Sequence, residues 1–594
     1  MRIVVLALVS FGLCFGSACA VHAAVSPGSG PDTVLYNGKV ISVNDEFDIH
    51  QAIAIRGDSI LAVGSDDEML QLANASTRVV DLAQHAVIPG LIDNHVHLIN
   101  NAVAFHQGVG VALVDSIEEM VARIGDKVKA TPPGEIVFTS SGWLPSQLKE
   151  QRVPTRFDLD PVSPNHPVVV LGGHSLYLNS YALEKAGITR DTPSPPGGTI
   201  VKDPDTGEPT GMLVENASSL AARIVSSSNT ETWKIFGAGA ASAQEKLDAL
   251  RAAQRKLNAA GITSIREPGL SPDDMRVYQK LRDDGELSLR VSMSLSLSPY
   301  ESQEVLIGQL RTWGVSTGFG DEFLRLDGVG EFGIDGGFEG GLMSEPYENS
   351  PGNEEAGDYY GLQRIPTEKY QGVMQAMSEL GWRSTSHIVG DRGLDIALDA
   401  YEAADRVASI TSRRWVIEHG HYTRPDQFER IRELGLVIST QFHPYMAAQN
   451  MVHYWGESRA NQAMRLRDWL DAGIVVGGGS DWTLLPANPF WMLYFWVTRE
   501  SRLGGVTGYD QRITREEALQ VMTRNNAYIT FEEDIKGSLE PGKLADLVVL
   551  SDDYLTVPEA DIREITPLLV LLDGNIVFDA GVPSVDGARR AMQP

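Results

Sequence analysis

Only two cysteines occur in the 594 residues, Cys14 and Cys19, and both stand near the start of the chain. Nothing downstream can form a disulfide framework or a thiolate metal site, so any metal ligands must be His, Asp or Glu. Basic residues are also scarce: 49 Lys and Arg face 78 Asp and Glu, a formal charge of -29. Such an excess of acid repels phosphate backbones and anionic lipid, and it excludes nucleic acid as a partner. After the N-terminus no apolar run is long enough to span a bilayer, so stable membrane insertion is not expected. Collagen-like and low-complexity periods are likewise missing.

What is there reads as an ordinary globular chain, 43% hydrophobic and 21% charged. Its length exceeds what one hydrophobic core supports, which points to a large domain and at least one smaller one. Met1-Arg2, an apolar run from Ile3 to about Cys19 and the small residues of Ser17–Ala24 have the anatomy of a secretory signal over residues 1–24. Cleavage after Ala20 or Ala23 fits, and the protein is expected to be exported, to the periplasm or the medium. Lipid attachment at Cys19 is the weaker alternative, because Phe15-Gly-Ser-Ala18 lacks the bulky aliphatic residue that usually precedes such a cysteine.

Short strand-like runs fill residues 31–86 (Thr33-Val-Leu-Tyr, Lys39-Val-Ile-Ser-Val, Ala52-Ile-Ala-Ile, Ser59-Ile-Leu-Ala-Val), and the same style returns over 533–594 in Ala545–Leu550 and Leu568–Leu572. Neither half buries enough surface alone, so the two are expected to pair into one discontinuous β-sandwich. Between them, residues 87–532 alternate apolar runs with amphipathic stretches, which predicts an α/β fold, a (β/α)8 barrel. Its candidate strands are Ala86–Asp93, Gly261–Arg266, Leu289–Met293, Trp382–Ser386, Arg414–Glu418, Val437–Thr440 and Ile474–Gly477. Residues 104–230 are too long for a βα loop and read as an inserted lid domain.

His95-Val-His97 follows directly on an apolar strand, where alternation would turn both imidazoles the same way, toward one metal ion. Glu331, His387, His419 and Asp481 stand within or just after further barrel strands, and a barrel gathers such strand ends on one face. His421 and His443 lie just beyond the sixth and seventh strands, where they donate to a substrate carbonyl or merely line the mouth. Gly477-Gly-Gly479 is not followed by Lys-Ser/Thr, so a tight strand exit is preferred to a phosphate loop. Ser480 has no evident His-Asp relay. Trp143, Tyr177, Phe338, Tyr445 and Trp482 either line an aromatic substrate pocket or belong to the core, the second being preferred.

Val87-Ile-Pro-Gly-Leu-Ile-Asp-Asn-His-Val-His-Leu98 and Glu540-Pro-Gly-Lys-Leu-Ala-Asp-Leu-Val-Val-Leu550 resemble the opening and closing segments of the amidohydrolase superfamily. Gly173-His-Ser-Leu-Tyr-Leu-Asn-Ser180, Ser386-His-Ile-Val-Gly-Asp391, Ile417-Glu-His-Gly420 and Gly479-Ser-Asp481 are similar to the branch that includes N-substituted formamide deformylases. The resemblance implies a divalent metal cofactor, zinc first, in one or two ions. His95 and His97 would hold the more buried ion, His387 and His419 the more exposed one, and Asp481 would stand beside the reactive water as acid-base residue. His174 resembles a position on the insertion that reaches toward substrate. The branch usually has a carbamylated lysine bridging two metals where this chain has Glu331, and a carboxylate can bridge two cations with its two oxygens. The implied reaction is hydrolysis of an amide-like carbon-nitrogen bond in a small molecule. Ester or lactone hydrolysis, deamination, decarboxylation and a periplasmic binding role without catalysis stay open, as does assembly with further copies of the chain.

Overall fold

The computed structural model describes residues 30–226, 241–351, 357–481 and 488–582. The expected leader, Trp482, residues 227–230 of the insertion and residues 583–594 lie outside them. Eight strands form one sheet in chain order: β1 (Leu91–Asp93), β2 (Ile262–Leu270), β3 (Arg290–Leu295), β4 (Leu324–Gly333), β5 (Ser384–Ile388), β6 (Val416–His419), β7 (Val437–Thr440) and β8 (Val476–Gly478). All seven neighbouring pairs are parallel. Every residue of β3, β5, β6 and β7 is buried, as a parallel sheet covered by crossover helices requires.

The sheet curves into a nearly closed (β/α)8 barrel. At the seam the Asn94 N–H donates to Gly478 O at 3.0 Å, and the Asn526 amide donates to Ile92 O at 2.6 Å and to Gly478 O at 2.8 Å. A Cβ on Gly478 would stand 2.1 Å from the Trp496 ring, and one on Gly479 2.5 Å from the His95 nitrogen. These glycines let the last strand approach the first and its covering helix, and they form a strand exit. Helix starts follow local chemistry: the Ser271 hydroxyl accepts from the Asp274 N–H and Pro272 opens the first turn of Pro272–Asp283. Asp274 then accepts the Lys246 ammonium at 2.7 Å, tying this helix to Ala243–Ala259.

Two strands differ from the sequence reading. Ala86–Asp93 divides at Gly90 into Ala86–Pro89, which joins the sandwich, and β1. A Cβ at Gly90 would meet Thr263 Oγ1 at 2.2 Å, so the chain crosses between sheets at the one residue without a side chain. β4 was not among the candidate strands, because Arg325, Asp327, Gly328 and Gly330 interrupt its apolar pattern. Asp327 points at buried cations inside the barrel, and a Cβ on Gly328 would stand 2.6 Å from Arg383 O.

Strands from both chain ends share a sheet, Leu547–Leu550 running antiparallel to Ala86–Pro89. That six-stranded sheet packs on the four-stranded sheet of Thr33–Tyr36, Ala52–Arg56, Ser59–Gly64 and Arg78–Asp81 around Leu35, Ile53, Val87, Val549 and Leu571. The insertion carries its own five-stranded sheet, in the order Gly198–Lys202, Pro209–Glu215, Ser175–Leu178, Val168–Leu171, Val137–Phe138. Along Val168–Leu171, Val168 and Val170 enter one apolar core and Val169 the other, the period of two expected of a strand packed on both faces.

The fully buried Arg290 of β3 ties the barrel to the sandwich, with Nε 2.7 Å from Asp546 and a terminal nitrogen 2.9 Å from Asp573. Replacing it by Met strands the buried Asp546 carboxylate. Urea unfolding of Arg290→Met is expected to show a loss of about 3–5 kcal/mol, and an unchanged midpoint would mean that this pair does not hold the two parts together.

Candidate metal centre

The six residues expected to bind metal meet at the C-terminal end of the barrel. His95 and His97 lie just beyond β1, Glu331 is within β4, His387 is in β5, His419 ends β6 and Asp481 follows β8. The two histidines are therefore not on the strand itself: β1 stops at Asp93, and His97 caps the helix Leu98–Gln107. Their rings still meet edge to face at 5.1 Å, and both Nε2 atoms face the same carboxylates.

The donor atoms fall into two groups. His95 Nε2 and His97 Nε2 stand 3.7 and 3.5 Å from Glu331 Oε2, and each is 3.6 Å from Asp481 Oδ1. His387 Nδ1 and His419 Nε2 are each 3.1 Å from Glu331 Oε1 and 2.8 Å from one another. Ligands at about 2.0–2.1 Å around a tetrahedral ion are separated by about 3.3 Å, so both groups have the spacing of a coordination shell. His95 Nε2 is buried without a hydrogen-bond partner among the described residues. Its other nitrogen is held by Glu418 at 2.7 Å, an outer carboxylate that fixes the ring and leaves Nε2 free for a cation. Burial alone would raise the Glu331 and Asp481 carboxyls, yet the facing imidazoles hold both well below the usual carboxylate range. The donor set fits one or two divalent ions, with Glu331 facing both positions.

A charged network inside the barrel fixes these ligands. Glu418 accepts from Arg266 at 2.7 Å and from the Thr385 hydroxyl, while Arg266 also holds Asp327 at 2.7 Å, and Asp327 pairs with Arg383. All four charged side chains are buried. Gln441 Oε1 lies 2.6 Å from His419 Nδ1. Asp93 accepts from the Ser480 N–H and hydroxyl at 2.8 and 2.6 Å, locking the exit of β8 to that of β1. Asp335 accepts the N–H groups of Leu342, Val389 and Gly390 and positions two loops; burial lifts its carboxyl to about 7.

A cavity of about 280 Å³ opens on the centre, its wall completed by Gly173, His174 and Arg364. His174 Nδ1 lies 2.8 Å from Glu215, whose carboxylate also faces Arg364 at 3.4 Å and accepts the Gly337 N–H at 2.8 Å. Burial would raise Glu215, but His174, Arg364 and Gly337 outweigh it and hold the carboxyl at about 2. A carboxyl that ionises lower in the folded than in the unfolded chain stabilises the fold above about pH 4.3, and that contribution fades as pH falls toward 2. Metal-stripped protein unfolded in urea at pH 6 and pH 2 is expected to lose roughly 3 kcal/mol more than Glu215→Gln does. Equal losses in both proteins would remove the ion pair from this account.

His421 and His443 form a second pair beside Asp481: His443 Nε2 is 3.3 Å from Asp481 Oδ2, and His443 Nδ1 is 2.9 Å from His421 Nε2. Of the aromatic candidates, Trp143, Tyr177 and Phe338 line a second cavity behind His174, whereas Tyr445 packs at 5.6 Å on Trp491 and at 5.9 Å on Phe442 in the core. Sequence reasoning did not single out Glu418, Arg266, Asp327, Gln441, Glu215 or Arg364. For Glu418 a signal existed, a lone acid within the apolar run Trp415-Val-Ile-Glu418.

The chain is similar along most of its length to known proteins. It shares 27% identity over 567 residues with N-substituted formamide deformylase of Arthrobacter pascens, covering 92% of this chain and 98% of that protein. It shares 29% over 547 residues with LONG AFTER FAR-RED 3 of Arabidopsis thaliana, covering 89% of each. An uncharacterised metal-dependent hydrolase from Pyrococcus furiosus superposes over 88% of this chain and 100% of its own, with a TM-score of 0.65 and 27% identity. The amidohydrolase family matches residues 78–578, a span that holds the barrel, the insertion and every residue of the metal centre. The chain belongs to the amidohydrolase family and is a metal-dependent hydrolase.

Proposed function

We propose that the protein hydrolyses an amide-like carbon-nitrogen bond in a small molecule, with zinc as its metal, and that residues 1–24 export it to the periplasm or the medium. One observation carries the reading. Asp481 presents Oδ1 to the His95–His97–Glu331 group and Oδ2 to His443, at the floor of the cavity. A carboxylate so placed touches both the ligand shell and the space where a substrate would lie. The choice of bond draws on the Arthrobacter pascens relative, named for N-substituted formamides.

His95, His97 and Asp481 with Glu331 Oε2 would hold one ion, and His387 and His419 with Glu331 Oε1 a second. A divalent ion bound there supplies a Lewis acid that polarises a carbonyl and makes water acidic enough to attack at neutral pH. Asp481 takes the proton from the attacking water and returns it to the departing nitrogen. His174, oriented through Nδ1 by Glu215, turns its other edge toward the cavity, where it orients the substrate carbonyl. His443 and His421 keep Asp481 in place from behind.

The test is a panel of N-acyl amines and formamides run beside the matching esters, lactones and aminated rings, with released amine or ammonia read for the nitrogen substrates and released acid for the esters and lactones. Amides should be turned over, a chelator should abolish the rate and zinc should restore it. Turnover confined to esters or lactones, or a rate indifferent to chelation, would overturn the assignment.

A further inference from the structure

Behind His174 lies a second, smaller cavity of about 40 Å³, and the His174 side chain lines both this one and the cavity at the metal centre. Its walls include the aromatic rings of Trp143, Tyr177, Phe338 and Tyr454 beside aliphatic side chains such as Val153 and Met212, with Trp143 and Tyr177 at 5.3 Å between ring centroids. Two oxygen acceptors sit among these rings. Glu339 accepts one hydrogen bond, from the Ser175 hydroxyl at 2.8 Å, and among the described residues no Lys, Arg or His nitrogen lies within 4.0 Å of its carboxylate. Asn450 Oδ1 is buried and has no hydrogen-bond partner among the described residues.

A ligand that suits this wall must donate hydrogen bonds and tolerate aromatic faces. Carboxylate and amide oxygens only accept, and a purely apolar group would leave the Asn450 oxygen without a partner and the Glu339 carboxylate with the Ser175 hydroxyl alone. Aromatic faces attract cations, most strongly where water is excluded. The space is too small for a ring, since a benzene-sized guest fills a cavity of about 150 Å³. We propose that this cavity is a subsite for a small cationic nitrogen of the substrate, a primary or N-methylated ammonium held by Glu339 and Asn450 between the rings. Resting on the hydrolase reading, this makes the substrate an amide whose far end carries a basic amine. Burial pushes the Glu339 carboxyl up, against the pull of His174, and a bound ammonium supplies the counter-charge that it lacks.

Calorimetric titration of the metal-loaded protein with butylammonium chloride, and with butan-1-ol as the neutral counterpart, tests the subsite without relying on turnover. The ammonium should bind roughly ten- to a hundredfold more tightly, the range expected of a hydrogen bond to a charged group. Glu339→Gln should erase the preference, and Asn450→Leu should weaken it independently. Equal affinities, no measurable binding of either probe, or a preference that survives both substitutions overturns the proposal. Hydrolysis of N-acetylbutane-1,4-diamine against N-acetylpentylamine separates the two readings. An ammonium preference with neither amide cleaved leaves the subsite standing and removes the hydrolase reading; equal cleavage of both with no ammonium binding does the reverse.

Discussion

Asp481→Asn is expected to lower kcat by about a hundred- to ten-thousandfold, the range that general acid-base assistance supplies, while the protein stays folded and keeps metal. The side chain has the same shape in the variant and still offers an oxygen toward His95 and His97, so the shell survives. What disappears is the capacity to take a proton from water and deliver it to the departing nitrogen. With that oxygen toward His95 and His97, Asn turns its NH2 group to His443, whose Nε2 lies 3.3 Å from Asp481 in the wild type, so the contact survives only as a donation from the amide to an unprotonated ring nitrogen. Steady-state rates on the best amide of the panel, together with elemental analysis, check the outcome. A variant with near-normal kcat would remove Asp481 from the chemistry, and one that has lost its metal would make Asp481 chiefly a ligand.

The second large effect is expected at Glu331. Its two oxygens face different imidazole pairs, Oε2 toward His95 and His97, and Oε1 toward His387 and His419. Glu331→Ala removes a ligand from both positions and leaves four histidines around a space with less negative charge. Changing an outer partner of a metal ligand already costs about 10- to 100-fold in affinity, so the loss here should be at least a hundredfold. Dialysed protein should fall from two ions per chain to one or none, with hydrolysis falling in step. Unaltered stoichiometry in Glu331→Ala would place this carboxylate outside the coordination shell.

The sequence made most of the clustered imidazoles and carboxylates readable because they are polar groups at the end of apolar runs, and the barrel projects such ends onto one face. His95, His97, His419 and Asp481 share that signature, whereas His387 follows the polar run Arg383-Ser-Thr-Ser386. Glu331 is placed within or just after a barrel strand, but the bounds of β4 are not legible, because its Asp327 and its glycines serve the interior network and the close approach of β5. Arg266, Asp327 and Arg383 look like ordinary surface charges in isolation, and their burial makes sense only once β2, β4 and the start of β5 bring them together with Glu418. The division at Gly90 was hidden because both halves of Ala86–Asp93 are apolar, whichever sheet they join. The insertion's sheet was obscured by strands as short as Val137–Phe138, where periodicity has no room to show.

The gathering of distant imidazoles and carboxylates around divalent cations is tested most directly by a crystal structure of the metal-loaded protein with anomalous scattering at the metal edge. Two peaks are predicted, one at about 2.1 Å from His95, His97, Asp481 and Glu331, the other from His387, His419 and Glu331. A protein that takes up no divalent ion, or one whose ion sits away from these six side chains, would contradict the account.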